Sequence, residues 1–365
     1  MSIISLYEKS ENLFFVGGIV RDELSGRKSP DIDLTFVGNA VDFAKNLDFE
    51  ILQINEEFGS VHLRINDMTI DITSTRIETY PEKGHLPKIE KIGCTLKEDV
   101  FRRDFTVNAI AKNCKSGEII DYTGGIEDLK DKKLRVLHEK SFIDDPTRII
   151  RGLKFAVRFD FELEANTKKL QDEYLQNVNY NMSFKRLKDE LIDAFNINKQ
   201  KVLDKFINEK MYKLLSDKEF IPYMQNTEEF IKPYLKEIKY MWLVYLGGFD
   251  LTNIPLNKKE SKIIEDYQKL SQTNLCDDFE TYKMFGLSEI ESILIYGLTI
   301  NPQKVKKYLD ELRKIKLSIS GKDLVAIGFE PSEKISKTLN AVLQIKLEHP
   351  ELTLDEELDI ARTYL

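Results

Sequence analysis

Two aspartates two residues apart, Asp31 and Asp33 in the stretch SPDIDLTFVG, are the side chains of this 365-residue chain best suited to chemistry. In a β-strand, residues i and i+2 point to the same face, so both carboxylates would project together while Ile32 and Leu34 enter the core. Two neighbouring carboxylates repel each other unless a divalent cation lies between them, and hard oxygen ligands suit magnesium. The pair therefore predicts a metal site that activates an attacking hydroxyl and stabilises a leaving pyrophosphate. An isolated D-x-D pair is more often a solvated surface feature.

A glycine pair and an arginine precede these aspartates. Glycine lets a backbone approach an oxyanion closely and adopt positive φ, which makes Gly17 and Gly18 candidates for contact with phosphate oxygens. The amides at the start of the following helix, VRDEL, and the charged fork of Arg21 would favour the same ligand. The alternative is a tight strand-to-helix turn that needs glycine for steric reasons alone. The stretch is neither a P-loop nor the dinucleotide fingerprint G-x-G-x-x-G.

The stretch GGIVRDELSGRKSPDIDL resembles the signature of the DNA polymerase beta-type nucleotidyltransferases, and specifically the class II group of tRNA CCA-adding enzymes and bacterial poly(A) polymerases. Further motifs similar to those of this group follow in order over roughly the first half of the chain: RRDFTVNAIA (Arg102 to Ala111), DYTGG (Asp121 to Gly125), DDPTRIIRGLKF (Asp144 to Phe155) and SFKRLKDEL (Ser183 to Leu191). The resemblance implies Mg²⁺ as the cofactor, CTP and ATP as substrates, and the acceptor end of tRNA as the partner.

The resemblance also implies residue roles in the catalytic head. Asp31 and Asp33 would be the catalytic metal ligands, and Gly17, Gly18, Arg21 and Arg103 would hold the triphosphate. Asp104 would contact the ribose, because a carboxylate that accepts from a 2′-hydroxyl favours ribonucleotides. The alternative for Asp104 is a local cap or ion pair beside the two arginines.

A third carboxylate stands in the strand-like run TIDIT. Asp71 would either join the metal site or serve only at the end of its strand. The family pattern favours neither role.

The segment DDPTRIIRGLKF suggests how a base is read. Asp145 and Arg148 are three residues apart, and we expect them to share a face of one helix. A carboxylate acceptor beside a guanidinium donor matches the amino group and ring nitrogen that cytosine and adenine both present, whereas guanine and uracil present the reverse order. Each reversed contact would leave a buried polar group unpaired, at a cost of about 1 to 3 kcal/mol. The alternative, a surface salt bridge between residues i and i+3, is common.

The same segment departs from the family pattern at two positions. The commonest CCA-enzyme form has a glutamate before the aspartate and a third arginine further on, where this chain has Asp144 and Lys154. The resemblance implies that Arg151 and Lys154 support the phosphates. It also implies that Arg186 and Glu190 brace the base-reading helix.

The pattern of apolar residues changes near residue 140. Before it, the short β-type runs LFFVGG, DIDLTFVG, FEILQI, SVHLRI, MTIDIT and IIDYTGG alternate with turns, and VDFAKNL and LKEDVFRRDFTVNAIA are typical of helices. After it, apolar residues recur at three- and four-residue spacing, which predicts helices only. We therefore predict an α+β fold. Residues 1–140 would be a nucleotidyltransferase head with a mixed sheet, 141–200 a helical neck that recognises the base, and 201–365 a helical body and tail that bind tRNA.

Composition limits the remaining possibilities. The chain is 42% hydrophobic, carries a formal net charge of −8 and has only three scattered cysteines, which argues against a disulfide framework or a zinc cluster. No apolar run approaches the roughly 20 residues of a membrane span, so we expect no membrane contact and a cytoplasmic location. We predict no stable protein partner. Basic residues interleave with apolar ones in residues 199–215, 231–240 and 303–316, which would face either an RNA backbone or solvent.

The product is less closely defined than the reaction. The stretch ISGKDLVAIGFEPSEKISKTL resembles a C-terminal element of bacterial CCA-adding enzymes in which a glycine-containing turn joins two helices. The last residues, LDEELDIARTYL, are acidic, whereas a poly(A) polymerase of this group would carry a strongly basic extension. The loop from Glu78 to Leu96 corresponds to one that helps the family switch from C to A addition. CCA addition is therefore favoured, with poly(A) synthesis or a CC-adding or A-adding specialist as alternatives.

Overall fold

The computed structural model describes residues 3–28 and 32–365. Asp31, one of the two predicted metal ligands, lies outside the described residues. The chain divides into two compact units, residues 1–217 and 218–365. The predicted boundaries near residues 140 and 200 fall inside the first unit, and the division into head, neck and body stays a prediction.

The first unit starts with strands and short helices and continues with longer helices. Its elements are α1 (Ile3–Tyr7), β1 (Leu13–Val16), α2 (Gly18–Leu24), β2 (Asp33–Phe36), α3 (Ala40–Lys45), β3 (Glu50–Asn55), β4 (Ser60–Ile65), β5 (Met68–Ser74), β6 (Arg76–Thr79), β7 (Lys88–Ile92), α4 (Leu96–Val100), β8 (Ala111–Asn113), β9 (Ile119–Ile120), α5 (Gly125–Lys130), β10 (Lys133–Leu134), α6 (Ser141–Asp144), α7 (Thr147–Phe159), β11 (Glu162–Leu163), α8 (Ala165–Gln176), α9 (Phe184–Phe195) and α10 (Lys199–Asn208).

A mixed sheet organises the first part of this unit, as the sequence predicts. Its strand order is β3-β4-β5-β2-β1-β8-β9. β2 pairs in parallel with β5 and antiparallel with β1. Alternate residues of these strands, among them Leu34, Leu63 and Ile72, form one apolar core with Ala40 and Ala44 of α3. This alternation leaves the start of β2 free to present Asp33 outside the core, where its side chain is exposed.

The predicted helix through LKEDVFRRDFTVNAIA is wrong beyond its first turn. The helix α4 ends at Val100, a 3-10 turn covers Thr106–Asn108, and the chain then enters β8. The chain does not return to an α-helix at Asp104, whose Oδ1 accepts hydrogen bonds from the backbone N–H of Phe105 at 2.8 Å and from Asn108 Nδ2 at 2.9 Å. A short carboxylate side chain that binds nearby donors in this way competes with helical hydrogen bonding.

The longer helices of the first unit pack through amphipathic faces. In α7, residues Ile149, Ile150, Leu153 and Ala156 are buried, and they recur at the helical spacing read from the sequence. One small correction applies to the prediction of helices only after residue 140. The two-residue strand β11 pairs in parallel with β10.

The second unit is helical. Its helices are α11 (Thr227–Ile231), α12 (Met241–Leu246), α13 (Lys258–Gln272), α14 (Asp278–Gly286), α15 (Ile290–Thr299), α16 (Pro302–Asp310), α17 (Gly321–Ala326), α18 (Glu333–Glu348) and α19 (Leu354–Arg362). The predicted glycine-containing turn is confirmed, because Gly328 adopts a φ of +111° between α17 and α18. Within the described ranges, no helix combines the length and apolar character that a membrane span requires. Cys94, Cys114 and Cys276 are free thiols.

Candidate active site

A cavity of about 560 Å³ in the first unit collects most of the predicted site residues. It is lined by the turn between β1 and α2, the start of β2, the strand β6, the segment after α4, and the helices α7 and α9. The predicted residues that line it are Gly17, Gly18, Arg21, Asp33, Arg103, Asp104, Asp145, Arg148, Arg151, Arg186 and Glu190. Residues from distant parts of the sequence therefore share one polar space.

The glycine turn lies against an arginine of the second motif. Gly17 adopts a φ of +70° and ends β1. A Cβ added there would lie 3.5 Å from Nη1 of Arg103 and 3.9 Å from the backbone oxygen of Asn108. The positive φ and this close approach explain why glycine is suited to the position. The turn and the Arg103 guanidinium together form a cationic wall of the cavity.

The side chain of Arg21 binds other side chains of the protein rather than projecting freely into the cavity. Its side chain is buried, and its Nη1 donates to Asn108 Oδ1 at 2.7 Å. Its Nε and Nη2 donate to Asp22 Oδ1 at 2.9 and 2.8 Å, and its guanidinium lies over the rings of Phe155 and Phe159. Burial lowers the pKa of Arg21 despite the neighbouring Asp22 carboxylate. These contacts tie α2 to the 3-10 turn, and direct contact of Arg21 with a triphosphate stays a prediction.

Asp33 faces both this cavity and an adjoining one of about 390 Å³. Its register partner on the parallel strand β5 is Asp71, which also lines the adjoining cavity and contacts the imidazole of His62. These carboxylates are hard oxygen donors of the kind that magnesium prefers, so the donor set fits a divalent cation. Among residues 3–28 and 32–365, no group of three or more His, Cys, Asp or Glu side chains is arranged so that it could hold a metal ion.

Asp104 is held by an arginine of α7. Arg151 donates to its Oδ2 from Nη2 at 2.6 Å and from Nε at 2.9 Å. Burial alone would raise the pKa of Asp104, but Arg151, Asn108 and Arg148 outweigh it and lower that pKa to about 2. Asp104 is therefore ionised at neutral pH and already paired, which is the local alternative that the sequence left open. Its predicted contact with a ribose stays a prediction.

This ion pair predicts acid sensitivity. The pKa of Asp104 is about 2 in the folded protein, against a usual value of 3.8. The stability it contributes is therefore present above about pH 5 and is lost as the pH falls towards 2, with a magnitude of about 2 kcal/mol. In urea unfolding of the wild type and Asp104→Asn, the gap between the two free energies of unfolding should shrink by that amount between pH 6 and pH 2. A gap that stays constant with pH would contradict the pairing.

Asp145 is placed differently from the prediction. It lies before α7 rather than on it, with an extended backbone (φ −142°, ψ 93°), because the following Pro146 disfavours a helical conformation at this position. Its Oδ1 accepts from the backbone N–H and the hydroxyl of Thr147 at 3.2 and 2.6 Å, and its Oδ2 accepts from Arg186 Nη2 at 2.5 Å. Asp145 and Arg148, both in the described part of the chain, form no salt bridge with each other.

Arg148 is fixed by its own set of partners. Its side chain is buried, and its Nη1 donates to Ser141 Oγ at 2.7 Å. Its Nη2 donates to the Tyr80 hydroxyl at 3.2 Å and to the backbone oxygen of Arg102 at 3.1 Å. Asp145 and Arg148 thus stand as a separate acceptor and donor in the wall of one cavity. No motif or spacing pointed to this contact of Tyr80, because it depends on the tertiary fold.

The remaining predicted site residues, Lys154 and Glu190, connect α7 with α9. Glu190 Oε1 accepts from Arg151 Nη1 at 3.5 Å, and its Oε2 lies 2.5 Å from Lys154 Nζ. Lys154 also contacts Asp193 of α9 at 3.4 Å and, unlike the other described site residues, does not line the cavity. A phosphate contact of Lys154 stays a prediction, and its observed contacts join the two helices.

The strands β6 and β7 form a hairpin whose tip is hydrogen-bonded to the end of α6 and to the start of α9. The N–H of Gly84 donates to the backbone oxygen of Asp144 at 2.9 Å, and its own oxygen accepts from the N–H of Ser183 at 3.0 Å. Arg186 Nη1 donates to the backbone oxygen of His85 at 3.2 Å. The loop predicted from Glu78 to Leu96 is therefore anchored beside Asp145.

Gly84 should not tolerate a side chain. It adopts a φ of +79°, and a Cβ there would lie 2.5 Å from the Cβ of Met182, so Gly84→Ala combines backbone strain with a steric clash. Gly117 is a matched control, because it has a φ of +74° and nothing within 4 Å of its Cβ position. We expect Gly84→Ala to lower the free energy of unfolding by about 1 to 3 kcal/mol more than Gly117→Ala. Equal losses in urea unfolding would show that the hairpin tip is not held in place by this contact.

The basic stretches are partly neutralised within each unit. In the first unit, Lys201 Nζ bonds Asp160 at 3.2 Å. In the second unit, Lys307 Nζ donates a hydrogen bond to Asp278 Oδ2 at 2.5 Å, and Arg313 Nη1 donates one to Glu237 Oε2 at 2.7 Å.

Comparisons with known proteins agree with this geometry. A family model described as "Poly A polymerase head domain" matches residues 13–135. The A-adding tRNA nucleotidyltransferase of Aquifex aeolicus is 33% identical over 352 residues, which cover 83% of this chain but only 41% of that protein. The CCA-adding enzyme of Bacillus pumilus is 28% identical over 381 residues, covering 96% of this chain and 94% of that enzyme.

Solved structures match along nearly the whole chain. A CCA-adding enzyme in complex with CTP matches with a TM-score of 0.75 and 26% identity, covering 100% of this chain and 94% of that one. The Thermotoga maritima CCA-adding enzyme complexed with tRNA-CCA matches with a TM-score of 0.72 and 26% identity, covering 98% and 94%. The predicted α+β fold with a helical remainder is confirmed.

Proposed function

We propose that the chain is a member of the family of class II tRNA nucleotidyltransferases and bacterial poly(A) polymerases, and that it adds C and A residues to the 3′ end of tRNA. CTP and ATP are the substrates, and pyrophosphate is released. The observation that carries the proposal is the single cavity in which Asp33, the Gly17 turn and the Asp145–Arg148 wall meet. A nucleotide in that cavity would have its phosphates at the glycine turn and its base at the neck.

The catalytic part of the proposal rests on carboxylates. Asp33, with Asp31, would hold magnesium at the start of β2. A bound divalent cation would lower the pKa of the RNA 3′-hydroxyl and neutralise charge on the α-phosphate. Asp71 would face the same ion from the neighbouring strand or orient Asp33 through their shared register.

The binding part of the proposal rests on fixed donors. Gly17, Gly18 and Arg103 would hold the triphosphate, and their fixed geometry would align the α-phosphate for in-line attack. Arg21 and Arg151 would brace this wall through Asn108 and Asp104. Most of the positioning would therefore precede nucleotide binding, which is the condition under which such contacts act on the reaction.

Base selection would use the wall of the neck. Asp145 would accept from the exocyclic amino group of cytosine or adenine, and Arg148 would donate to the adjacent ring nitrogen. Both side chains are held by protein partners, Asp145 by Arg186 and Arg148 by Ser141 and Tyr80. A fixed acceptor and donor can select bases without a nucleic-acid template.

An A-adding specialist is the second candidate. The Aquifex relative carries that name and is 33% identical, against 28% for the Bacillus CCA-adding enzyme. Coverage does not separate the two, because the chain spans 94% of the Bacillus enzyme and 83% of the A-adding tRNA nucleotidyltransferase of Halalkalibacterium halodurans. CCA addition is favoured by the solved structures that match nearly the whole chain, which are CCA-adding enzymes. A poly(A) polymerase would differ from both by adding long A tails. The cytoplasmic location and the lack of a stable protein partner stay predictions.

One experiment separates these candidates. The protein is incubated with tRNA transcripts that end before CCA, after C and after CC, with CTP and ATP supplied separately and together, and the 3′ ends are sequenced. A CCA-adding enzyme completes all three transcripts and stops. Extension of only the CC-ending transcript would assign A addition, CC ends that never gain A would assign CC addition, and long A tails would assign poly(A) synthesis.

A further inference from the structure

Asp99 is a fully buried carboxylate with no role in the function proposed so far. It lies in α4, and its side chain is 0% exposed. Its Oδ1 accepts from Arg102 Nε at 2.9 Å and from the backbone N–H of Arg76 at 3.1 Å. Its Oδ2 accepts from Arg103 Nη2 at 3.1 Å. One carboxylate therefore joins α4, β6 and the two arginines of the second motif.

The charges around Asp99 explain why it is ionised. Burial alone would raise the pKa of its carboxyl group, but the guanidinium groups of Arg103 and Arg102 outweigh burial and lower that pKa. An ionised carboxylate without water is stable only when its oxygens are paired, and here each oxygen has a charged partner. Arg102 is further held by Glu78 at 3.2 Å.

Arg103 is oriented on one side and open on the other. Its Nη2 bonds Asp99 and, at 3.3 Å, the hydroxyl of Thr35. Its Nη1 lies 3.5 Å from the Cβ position of Gly17. Its Nε is buried and has no hydrogen-bond partner among the described residues. The Nη1 atom is therefore the part of this guanidinium that approaches the glycine turn.

We propose that Asp99 is a positioning residue for nucleotide phosphates: it holds the Arg103 guanidinium so that Nη1 faces the glycine turn. This inference rests on the proposed function. It assigns to Asp99 an effect on nucleotide affinity, whereas a carboxylate that only joins α4 to β6 would affect stability alone. Loss of the Asp99 charge should therefore weaken the binding of any ligand whose phosphate contacts Arg103, whichever base the ligand carries.

The test is Asp99→Asn, which keeps the side-chain shape and removes its charge. The Michaelis constants for CTP, ATP and tRNA are measured, together with inhibition by inorganic pyrophosphate, which has no base or ribose. We expect the KM values for CTP and ATP and the inhibition constant of pyrophosphate to rise by a similar factor, about tenfold to a hundredfold. The KM for tRNA should not change.

A matched control is Glu357→Gln in the second unit. Glu357 is also 0% exposed, and it accepts from Lys346 and from the backbone N–H of Ser318 at 2.8 Å. This variant should lose stability without a change in the KM for either nucleotide. Wild-type nucleotide KM values and pyrophosphate inhibition in Asp99→Asn, with only a lower melting temperature, would overturn the proposal.

A second variant decides the question if Asp99→Asn does not fold. Thr35→Val removes the other partner of Arg103 Nη2. It should raise the same KM values and the same inhibition constant by about twofold to tenfold, and unchanged values would overturn the proposal. If the wild-type protein extends no RNA, the proposed function is contradicted, and the role of Asp99 is not yet tested by that result. Pyrophosphate binding by calorimetry would then still test Asp99, and equal affinity in wild type and variant would overturn its role.

Discussion

Asp33→Ala is expected to reduce nucleotide addition by about 10³-fold or more, because the change removes a carboxylate from the proposed metal site. Asp33 is exposed at the start of β2, so its loss removes no buried apolar contact. The melting temperature of the variant should therefore stay within a few degrees of the wild-type value. The measurement is single-turnover incorporation of CMP into tRNA, followed on a sequencing gel.

Asp67→Ala is the matched control for this loss. Asp67 is another exposed aspartate of the same sheet, in the turn between β4 and β5, and it does not line either cavity. This variant should keep wild-type incorporation. If Asp33→Ala is as active as Asp67→Ala, the carboxylate at the start of β2 has no part in catalysis.

Asp145→Asn is expected to reduce C and A incorporation by about tenfold to a hundredfold and to narrow the preference over U and G. The reason is geometric. Oδ1 already accepts from Thr147 and Oδ2 accepts from Arg186, so whichever way the asparagine amide is turned, its NH₂ group faces a donor. The amide would then be displaced from the position in which it meets the base. Competition among all four nucleoside triphosphates, with the products sequenced, measures both effects.

The adjacent Asp144 provides the control for this change. Its Oδ1 accepts from Lys83 Nζ at 2.6 Å in the hairpin, and the residue does not line the cavity. Asp144→Asn should keep the wild-type order of nucleotide preference. An unchanged preference in Asp145→Asn as well would mean that base selection lies elsewhere.

The sequence predicted the sheet more accurately than the loops between its elements. The run SVHLRI became a strand whose alternation of apolar residues fixes which face is buried. The run LFFV is apolar throughout and became a strand inside the sheet, where three of its four residues are buried. The helix predicted through residues 96–111 ends at Val100, and further along Asp104 binds nearby donors in a segment that is not α-helical. The sequence shows only that residue 104 is an aspartate. The position of its carboxylate also depends on Arg151, which is 47 residues away along the chain and donates to Oδ2.

The site shows the same division between residue type and geometry. Asp145 and Arg148 do line one cavity, but the predicted shared helix face is wrong, and Pro146 was the signal against it. Asp99 and Tyr80 were missed because neither stands in a pattern of spacing. Their partners come from other elements and become neighbours only in the folded chain.

Isothermal titration calorimetry of the wild-type protein with CTP, ATP, UTP and GTP in the presence of magnesium tests the central claim most directly. A single cavity that presents one acceptor and one donor to the base should bind CTP and ATP in mutual competition, with one site per chain. It should bind UTP and GTP at least about tenfold more weakly. Equal affinity for all four nucleotides, or independent sites for CTP and ATP, would contradict the account.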